Sequence, residues 1–300
     1  MPKINHMIIG VQASGKTTFA AALWYLVDSR EVDTVLKKGS HNGDYQYLEM
    51  IASNWAAGWQ VERTPSDTLE PIRINLKKQG NSDEVDLNFL DLSGETFERI
   101  FATRAVNSKL EELFRSMDGL LLFVSAVRKK DDLSILDIGL KMPEAMPAET
   151  DDAEVYSASD IAQNELNAEF VPGNAPQQIQ IVDLLQAVAD VPVNAKPKRV
   201  VVIISAWDKA PAITPEKWLV DRMPLLHQYL ENQSTDVPYR VYGVSAQGGS
   251  LPKREKPQTP SEREHLLKVK IPGERIKVVG HGASAHDLTH PIQWLSGFED

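Results

Sequence analysis

The sequence contains no cysteine among its 300 residues. Disulfide bonds and thiolate metal sites are therefore excluded, which fits a reducing compartment. Long apolar runs are also missing, since none approaches the roughly 18 residues that a bilayer crossing requires. The opening residues, MPKINHMIIG, lack the basic and apolar layout of a signal peptide. We therefore expect a cytoplasmic protein without a membrane partner.

Basic residues are outnumbered, with 32 Lys and Arg against 42 Asp and Glu and a formal net charge of −10. Proteins that bind nucleic acid or anionic membranes need a basic face. We therefore expect no direct nucleic-acid partner. Apolar residues make up 42% of the chain, which is enough for a sizeable core.

Apolar runs alternate with helical patterns, which predicts an α/β fold with a mostly parallel sheet and helices on both faces. We predict strands near residues 4–9, 72–78, 85–91, 119–126, 199–205, 239–244 and 275–279. We predict helices near residues 15–28, 44–57, 97–117, 177–189, 215–232 and 291–298, the last capped by Thr289. The turn residues 79–83 predict a hairpin, and therefore one antiparallel edge strand.

Two segments differ in composition from the rest of the chain. Residues 129–175 are rich in Asp, Glu, Ala and Pro, and residues 250–272 mix Pro with charge. Such stretches are typical of surface excursions. We predict a single domain over residues 1–300 that carries insertions at these two places.

The strongest chemical signal is a full match to the P-loop pattern G-x-x-x-x-G-K-[ST], between a predicted strand and a predicted helix. In this pattern backbone N–H groups wrap phosphate, the lysine reaches the β- and γ-oxygens, and the hydroxyl residue ligates Mg²⁺. Lys16 and Thr17 take these last two roles here. The predicted phosphate-binding residues are Gly10, Ala13, Ser14, Gly15, Lys16, Thr17 and Thr18.

A second signal is FLDLSGE at residues 89–95, where an apolar strand ends in D-x-x-G. Asp91 is predicted to hold Mg²⁺ through water, and the Gly94 N–H to touch the γ-phosphate. Asp and Gly end many strands, so the pattern has weight only because it lies on the second arm of the hairpin, after the P-loop helix.

With these motifs the chain resembles the Ras-like, translation-factor class of P-loop GTPases. The class orders its motifs as P-loop, switch threonine, D-x-x-G, N-K-x-D and S-A-K. This sequence has SAWD at residues 205–208 and SAQ at 245–247 in the last two places. The tail DLTHPIQWL at residues 287–295 looks more specifically like the bacterial double-GTPase group, which is associated with defence or conflict systems.

The resemblance implies that Asp208 accepts hydrogen bonds from guanine N1–H and the exocyclic amine. It also implies that Ser245 and Ala246 form the loop whose backbone N–H binds guanine O6. Ser205 and Ala206 depart from the usual Asn and Lys, which puts the packing over the base in doubt. Trp207 or Lys209 are the candidates to replace that packing.

The resemblance also implies a switch threonine before the strand at residue 72, which would complete the Mg²⁺ shell. Thr64 is our choice, and Thr68 fits as well. Glu95 follows D-x-x-G, where the class often has Gln or His to position water. Gln12 lies in the P-loop where it would crowd an incoming arginine or contribute a contact.

We therefore predict a Mg²⁺-dependent GTP-binding protein and slow GTPase that acts as a switch with a protein effector or activator. GTP and GDP are the expected ligands. One alternative is an ATPase or nucleoside kinase that shares the P-loop. The other is an inactive nucleotide-binding scaffold, for which the departures at Ala206 and Glu95 argue.

Overall fold

The computed structural model describes most of the chain. The described residues are 3–11, 13–40, 45–61, 72–80, 83–89, 100–103, 105–106, 108–127, 175–190 and 193–299. None of the helices in these ranges combines the length and the apolar character that crossing a membrane demands.

Strands and helices alternate along the described chain, as the apolar pattern predicts. The strands are β1 Ile4–Gly10, β2 Leu36–Lys38, β3 Ile72–Lys78, β4 Glu84–Phe89, β5 Gly119–Ser125, β6 Arg199–Ser205, β7 Tyr239–Ser245 and β8 Lys277–Val279. The helices are α1 Lys16–Ser29, α2 Gln46–Ala56, α3 Ser108–Arg115, α4 Gln177–Ala189, α5 Pro215–Arg222, α6 Pro224–Gln233, α7 Arg263–Leu266 and α8 His290–Leu295. Short 3₁₀ turns cover Trp207–Lys209 and Pro272–Arg275.

Within the described residues, the strands form one eight-stranded sheet in the order β2-β3-β4-β1-β5-β6-β7-β8. The central strands β4, β1, β5, β6 and β7 pair in parallel. The hairpin strand β3 pairs antiparallel with β4, as predicted, and β2 lies outside it. The short strand β8 pairs antiparallel with β7 at the other edge. The predicted fold class is confirmed.

Both faces of the sheet are covered, because the central strands are apolar on both sides. In β5, Leu121 and Phe123 join the cluster that includes α1, α2 and α8. Leu120, Leu122 and Val124 join the cluster that includes α3 to α6. Fully burying one such side chain stabilises the fold by about 1.5–3 kcal/mol, so burial on both faces stabilises this arrangement of parallel strands.

Three elements differ from the sequence predictions. The predicted helix over 215–232 is two helices, because Pro224 disfavours a helical conformation at Met223, whose φ is −136°. The predicted helix over 97–117 is not continuous, since residues 105–106 are not helical. The three-residue strand β2 was not predicted, because so short a segment carries no periodicity.

The tail motif at residues 287–295 holds β2 in place. The buried carboxylate of Asp287 accepts from the Val35 N–H at 2.9 Å and from the Thr289 hydroxyl at 2.6 Å. The Thr289 hydroxyl in turn accepts from the Leu36 N–H at 3.0 Å. Thr289 is the N-cap residue of the closing helix, as predicted, but its side chain makes no cap hydrogen bond and bonds to the β2 edge instead.

Candidate nucleotide-binding site

The turn between β1 and α1 has the backbone shape of a phosphate loop. Ala13 and Gly15 both lie in the left-handed region, with φ of 60° and 87°. Alternation of this kind directs successive N–H groups into a concavity that suits an anion. Gly15 precedes α1 and provides no side-chain cap for the first turn. The N–H groups of that turn have no acceptor within the helix, so this end of α1 suits phosphate.

Two glycines are required here by close packing. A Cβ at Gly10 would lie 2.6 Å from the carbonyl oxygen of Phe123 on β5. A Cβ at Gly15 would lie 2.9 Å from the Cβ of Ser205, at the end of β6. The phosphate loop therefore lies directly against the strand that leads to Asp208, which places the two predicted motifs at one edge of the sheet.

Lys16 folds back over the loop. Its Nζ donates to the carbonyl oxygens of Gly10 at 2.7 Å and Val11 at 3.2 Å, and the side chain is 6% exposed. These contacts hold the ammonium group across the loop, where a lysine of this motif meets phosphate oxygens. Thr17 and Thr18 follow in the first turn of α1 and are half-buried.

The carboxylate of Asp208 is oriented by the end of the next strand. Asp208 lies in a 3₁₀ turn after β6, and its side chain is only 13% exposed. Its Oδ1 accepts a 2.5 Å hydrogen bond from the hydroxyl of Ser245, the last residue of β7. The Ser245 hydroxyl itself accepts from the Gly248 N–H at 3.1 Å. The Ser245 hydroxyl thereby joins Asp208 to the loop that follows β7.

Lys209 and Trp207 have protein partners that the sequence did not indicate. The Lys209 ammonium lies 2.7 Å from a Glu262 carboxylate oxygen and 3.7 Å from Asp208 Oδ2. The hydrogen bond from Lys209 lowers the pKa of Glu262 to about 2 and raises the pKa of Lys209 itself. The Trp207 ring lies against β7, because a Cβ at Gly243 would be 2.3 Å from it.

Trp55 is a further residue of this region that the sequence did not assign to the site. Its indole Nε1 donates to the carbonyl oxygen of Ala246 at 2.9 Å, across 191 residues of chain. Trp55 lies in the hydrophobic core and is 1% exposed. A hydrogen bond between residues so far apart leaves no local signal in the sequence.

Several predicted residues lie outside the described part of the chain. They are Gln12, Thr64, Thr68, Asp91, Gly94 and Glu95. Their roles in metal binding, γ-phosphate sensing and hydrolysis stay predictions. Of the predicted Mg²⁺ ligands, Thr17 alone falls within the described ranges, and its hydroxyl is a hard oxygen ligand of the kind that Mg²⁺ prefers.

A model of the family described as Double-GTPase 1 matches residues 7–295. No curated protein matches the chain significantly. Among solved structures, the Arl6 BBS3 small GTPase from Trypanosoma brucei is 10% identical, with coverage of 82% of this chain and 88% of that one and a TM-score of 0.35.

Two further solved structures match the chain. The Ski7 GTPase-like domain of S. cerevisiae is 13% identical, with 83% and 44% coverage and a TM-score of 0.38. A bacterial selenocysteine-specific elongation factor, EF-Sec, is 12% identical, with 83% and 27% coverage and a TM-score of 0.34. The chain thus spans less than half the length of these two.

Proposed function

The chain belongs to the Double-GTPase 1 family, and from that premise we propose a Mg²⁺-dependent GTP-binding protein that hydrolyses GTP slowly and acts as a switch. The family membership confirms the resemblance drawn from the sequence and supports GTP binding and hydrolysis in general. The observation that carries the finer proposal is the joint placement of two groups. Lys16 lies across the phosphate loop, and Asp208 is oriented by Ser245 at the same edge of the sheet.

The phosphate half of the site acts through charge and backbone donors. The Lys16 ammonium would neutralise the β- and γ-phosphates from its position over the Gly10 carbonyl. Backbone N–H groups of residues 13–18 would bind phosphate oxygens. Thr17, with Asp91 and Thr64, would hold Mg²⁺, which when bound neutralises charge on the phosphate oxygens.

The base half of the site selects guanine by its donors. Guanine presents N1–H and an exocyclic amine side by side, and the two oxygens of one carboxylate accept both. Adenine offers no such pair. With Oδ1 already fixed by Ser245, the Asp208 carboxylate has a set orientation before nucleotide enters. The Ala246 N–H would bind O6, which adenine lacks.

Hydrolysis and switching depend on residues predicted from the sequence. Glu95 would position the attacking water, Gly94 and Thr64 would sense the γ-phosphate, and Gln12 would narrow the approach to it. No arginine is assigned to the γ-phosphate, so we propose that a protein partner supplies the missing charge. The resemblance to the double-GTPase group further supports a role in a bacterial defence or conflict system, and the absence of cysteine supports a cytoplasmic location.

Titration with GTP, GDP and ATP, with Mg²⁺ and with a chelator, tests this proposal when followed by phosphate release. We expect GTP to bind more tightly than ATP, with Mg²⁺ required and release slow. Lys16→Ala should abolish triphosphate binding. Lys217→Ala is the matched control, since Lys217 forms a surface ion pair with Asp221 at 2.7 Å. Equal binding of ATP would favour an ATPase or kinase, and binding without release would favour a scaffold.

A further inference from the structure

Helix α2 makes a buried polar contact with the loop that follows β7. Trp55 lies in the main hydrophobic cluster, yet its Nε1 donates to the Ala246 carbonyl at 2.9 Å. Burying an N–H group in an apolar core costs free energy unless the group donates a hydrogen bond to an acceptor. The Ala246 carbonyl is therefore held at a fixed place by a residue that cannot easily move.

The carboxyl end of α2 is held by the segment after that loop. Arg275 donates through Nη1 to the Ala56 carbonyl at 2.9 Å. Arg263 donates to the Ala57 and Gly58 carbonyls, both at 3.0 Å. Helix ends expose carbonyls without intrahelical donors and carry partial negative charge, so two guanidinium groups suit this position.

Two more contacts extend the link beyond the helix. The Gln60 N–H donates to the Pro252 carbonyl at 2.9 Å. The Arg263 guanidinium lies 3.8 Å from the centre of the Trp59 ring, within the range of a cation–π contact. Residues 55–60 are thus tied at several points to residues 246–275.

We propose that Trp55 is a positioning residue for guanine recognition, and that α2 holds the loop that follows β7 in the conformation that binds the base. The inference rests on the proposed function, because it assumes that the Ala246 N–H binds the 6-oxo group. Fixing the Ala246 carbonyl restricts the rotation of that residue, and Gly248 follows in a tight left-handed turn, with φ of 83°. The loop therefore presents its N–H with little freedom left to lose on binding.

The test is Trp55→Phe, which keeps an aromatic ring in the core and removes the N–H donor. Trp24→Phe is the matched control, because Trp24 lies in the same cluster and stacks on Tyr45 at 5.2 Å. Binding is measured for GTP and ITP, which carry the 6-oxo group, and for 2-aminopurine riboside triphosphate and ATP, which lack it. Thermal unfolding of each variant is recorded in parallel.

We expect Trp55→Phe to weaken GTP and ITP roughly 3- to 10-fold, the range for one lost neutral hydrogen bond, with the other two nucleotides unchanged. Trp24→Phe should bind all four nucleotides with the affinities of the parent. A purely structural role would lower the unfolding temperature and weaken all four nucleotides alike, which would overturn the inference.

Arg263→Gln provides a second variant, at a half-buried side chain that does not belong to the core. It removes the charge that holds the Ala57 and Gly58 carbonyls, and the preference for 6-oxo nucleotides should fall by up to about tenfold, the factor that corresponds to the low end for a charge-assisted hydrogen bond. If the parent prefers GTP and both variants keep the parent's preference for 6-oxo nucleotides, the role of α2 is refuted while the proposed function stands. A parent that binds GTP and ATP equally refutes the proposed function itself, and the inference with it.

Discussion

Replacing Asp208 with Asn exchanges one carboxylate oxygen for an amide group at the predicted base contact. In the structure Oδ1 accepts from the Ser245 hydroxyl, and Oδ2 lies 3.7 Å from the Lys209 ammonium. The asparagine carbonyl is expected to keep the bond from Ser245, because that hydroxyl requires an acceptor. The new amide nitrogen then takes the place of Oδ2.

The size of the effect follows from burial. The Asp208 side chain is 13% exposed, so a mismatched donor there is shielded from water. Guanine then places an amine against an amide N–H₂, and one buried polar group stays unpaired. This costs about 1–3 kcal/mol, which weakens GTP by roughly 5- to 150-fold. Xanthine has a carbonyl in place of that amine, so XTP should bind more tightly to the variant than to the parent.

The assay is calorimetric titration of parent and variant with GTP, XTP and ATP. Asp221→Asn, at an exposed residue of α5, is the matched control and should change none of the three affinities. The affinity for ATP should be the same in both variants as in the parent, because adenine lacks the donor pair. If Asp208→Asn leaves the ratio of GTP to XTP affinity as in the parent, Asp208 does not read the base.

Three further predictions concern phosphate, hydrolysis and acid stability. Lys16→Ala and Thr17→Ala should abolish tight binding of GTP with Mg²⁺ while circular dichroism shows an intact fold; parent-like binding by either would refute the phosphate site. Single-turnover hydrolysis by the isolated protein should run below about 1 per minute, reflecting a missing arginine, and a rate of several per second unaffected by Glu95→Ala would contradict this. Burial lowers the pKa of His6 from 6.5 to about 3, so the unfolded chain binds the extra proton first, and stability should fall by up to about 1.4 kcal/mol per pH unit between pH 6.5 and about 3. Denaturant melts at several pH values should show that the unfolding free energy of His6→Gln falls less steeply with falling pH than that of the parent. An equal pH dependence in the two proteins would exclude His6 as the cause.

Segments whose ends or interiors carry a clear sequence signal were predictable from the sequence. The bounds of α4 and β6 agree with the predictions, because Pro176 precedes the one and a run of β-branched residues fills the other. The P-loop was predictable because the full pattern lies between an apolar run and a helical pattern, the context that the motif requires. The break at Pro224 has a sequence signal, the proline itself, because proline disfavours a helical conformation at the residue before it.

The links between distant segments were not predictable. Trp55 and Ala246 are 191 residues apart, and Lys209 and Glu262 are 53 apart. Neither pair differs from ordinary core or surface residues in its local pattern. Only the order of the strands, which brings the ends of β6 and β7 together, gives these residues a common site.

The departure at Ala206 leads to a last expectation, about nucleotide release. Ala206 stands where the class has a lysine whose stem covers the base, and Trp207 packs on Gly243 while Lys209 pairs with Glu262. Guanine would then be held by its edge more than by its face, and GDP should dissociate quickly.

Ala206→Lys tests this expectation without new backbone strain, since residue 206 is already left-handed with φ of 51°. The added stem would bury on the order of 40 Å², worth about 1 kcal/mol, and should slow GDP dissociation about fivefold. Stopped-flow release of a fluorescent GDP gives the rate, with Ala212→Lys, at an exposed residue, as a control for added charge. An unchanged rate in Ala206→Lys would mean that the face of the base is already covered, and that the preference for guanine does not rest on its edge alone.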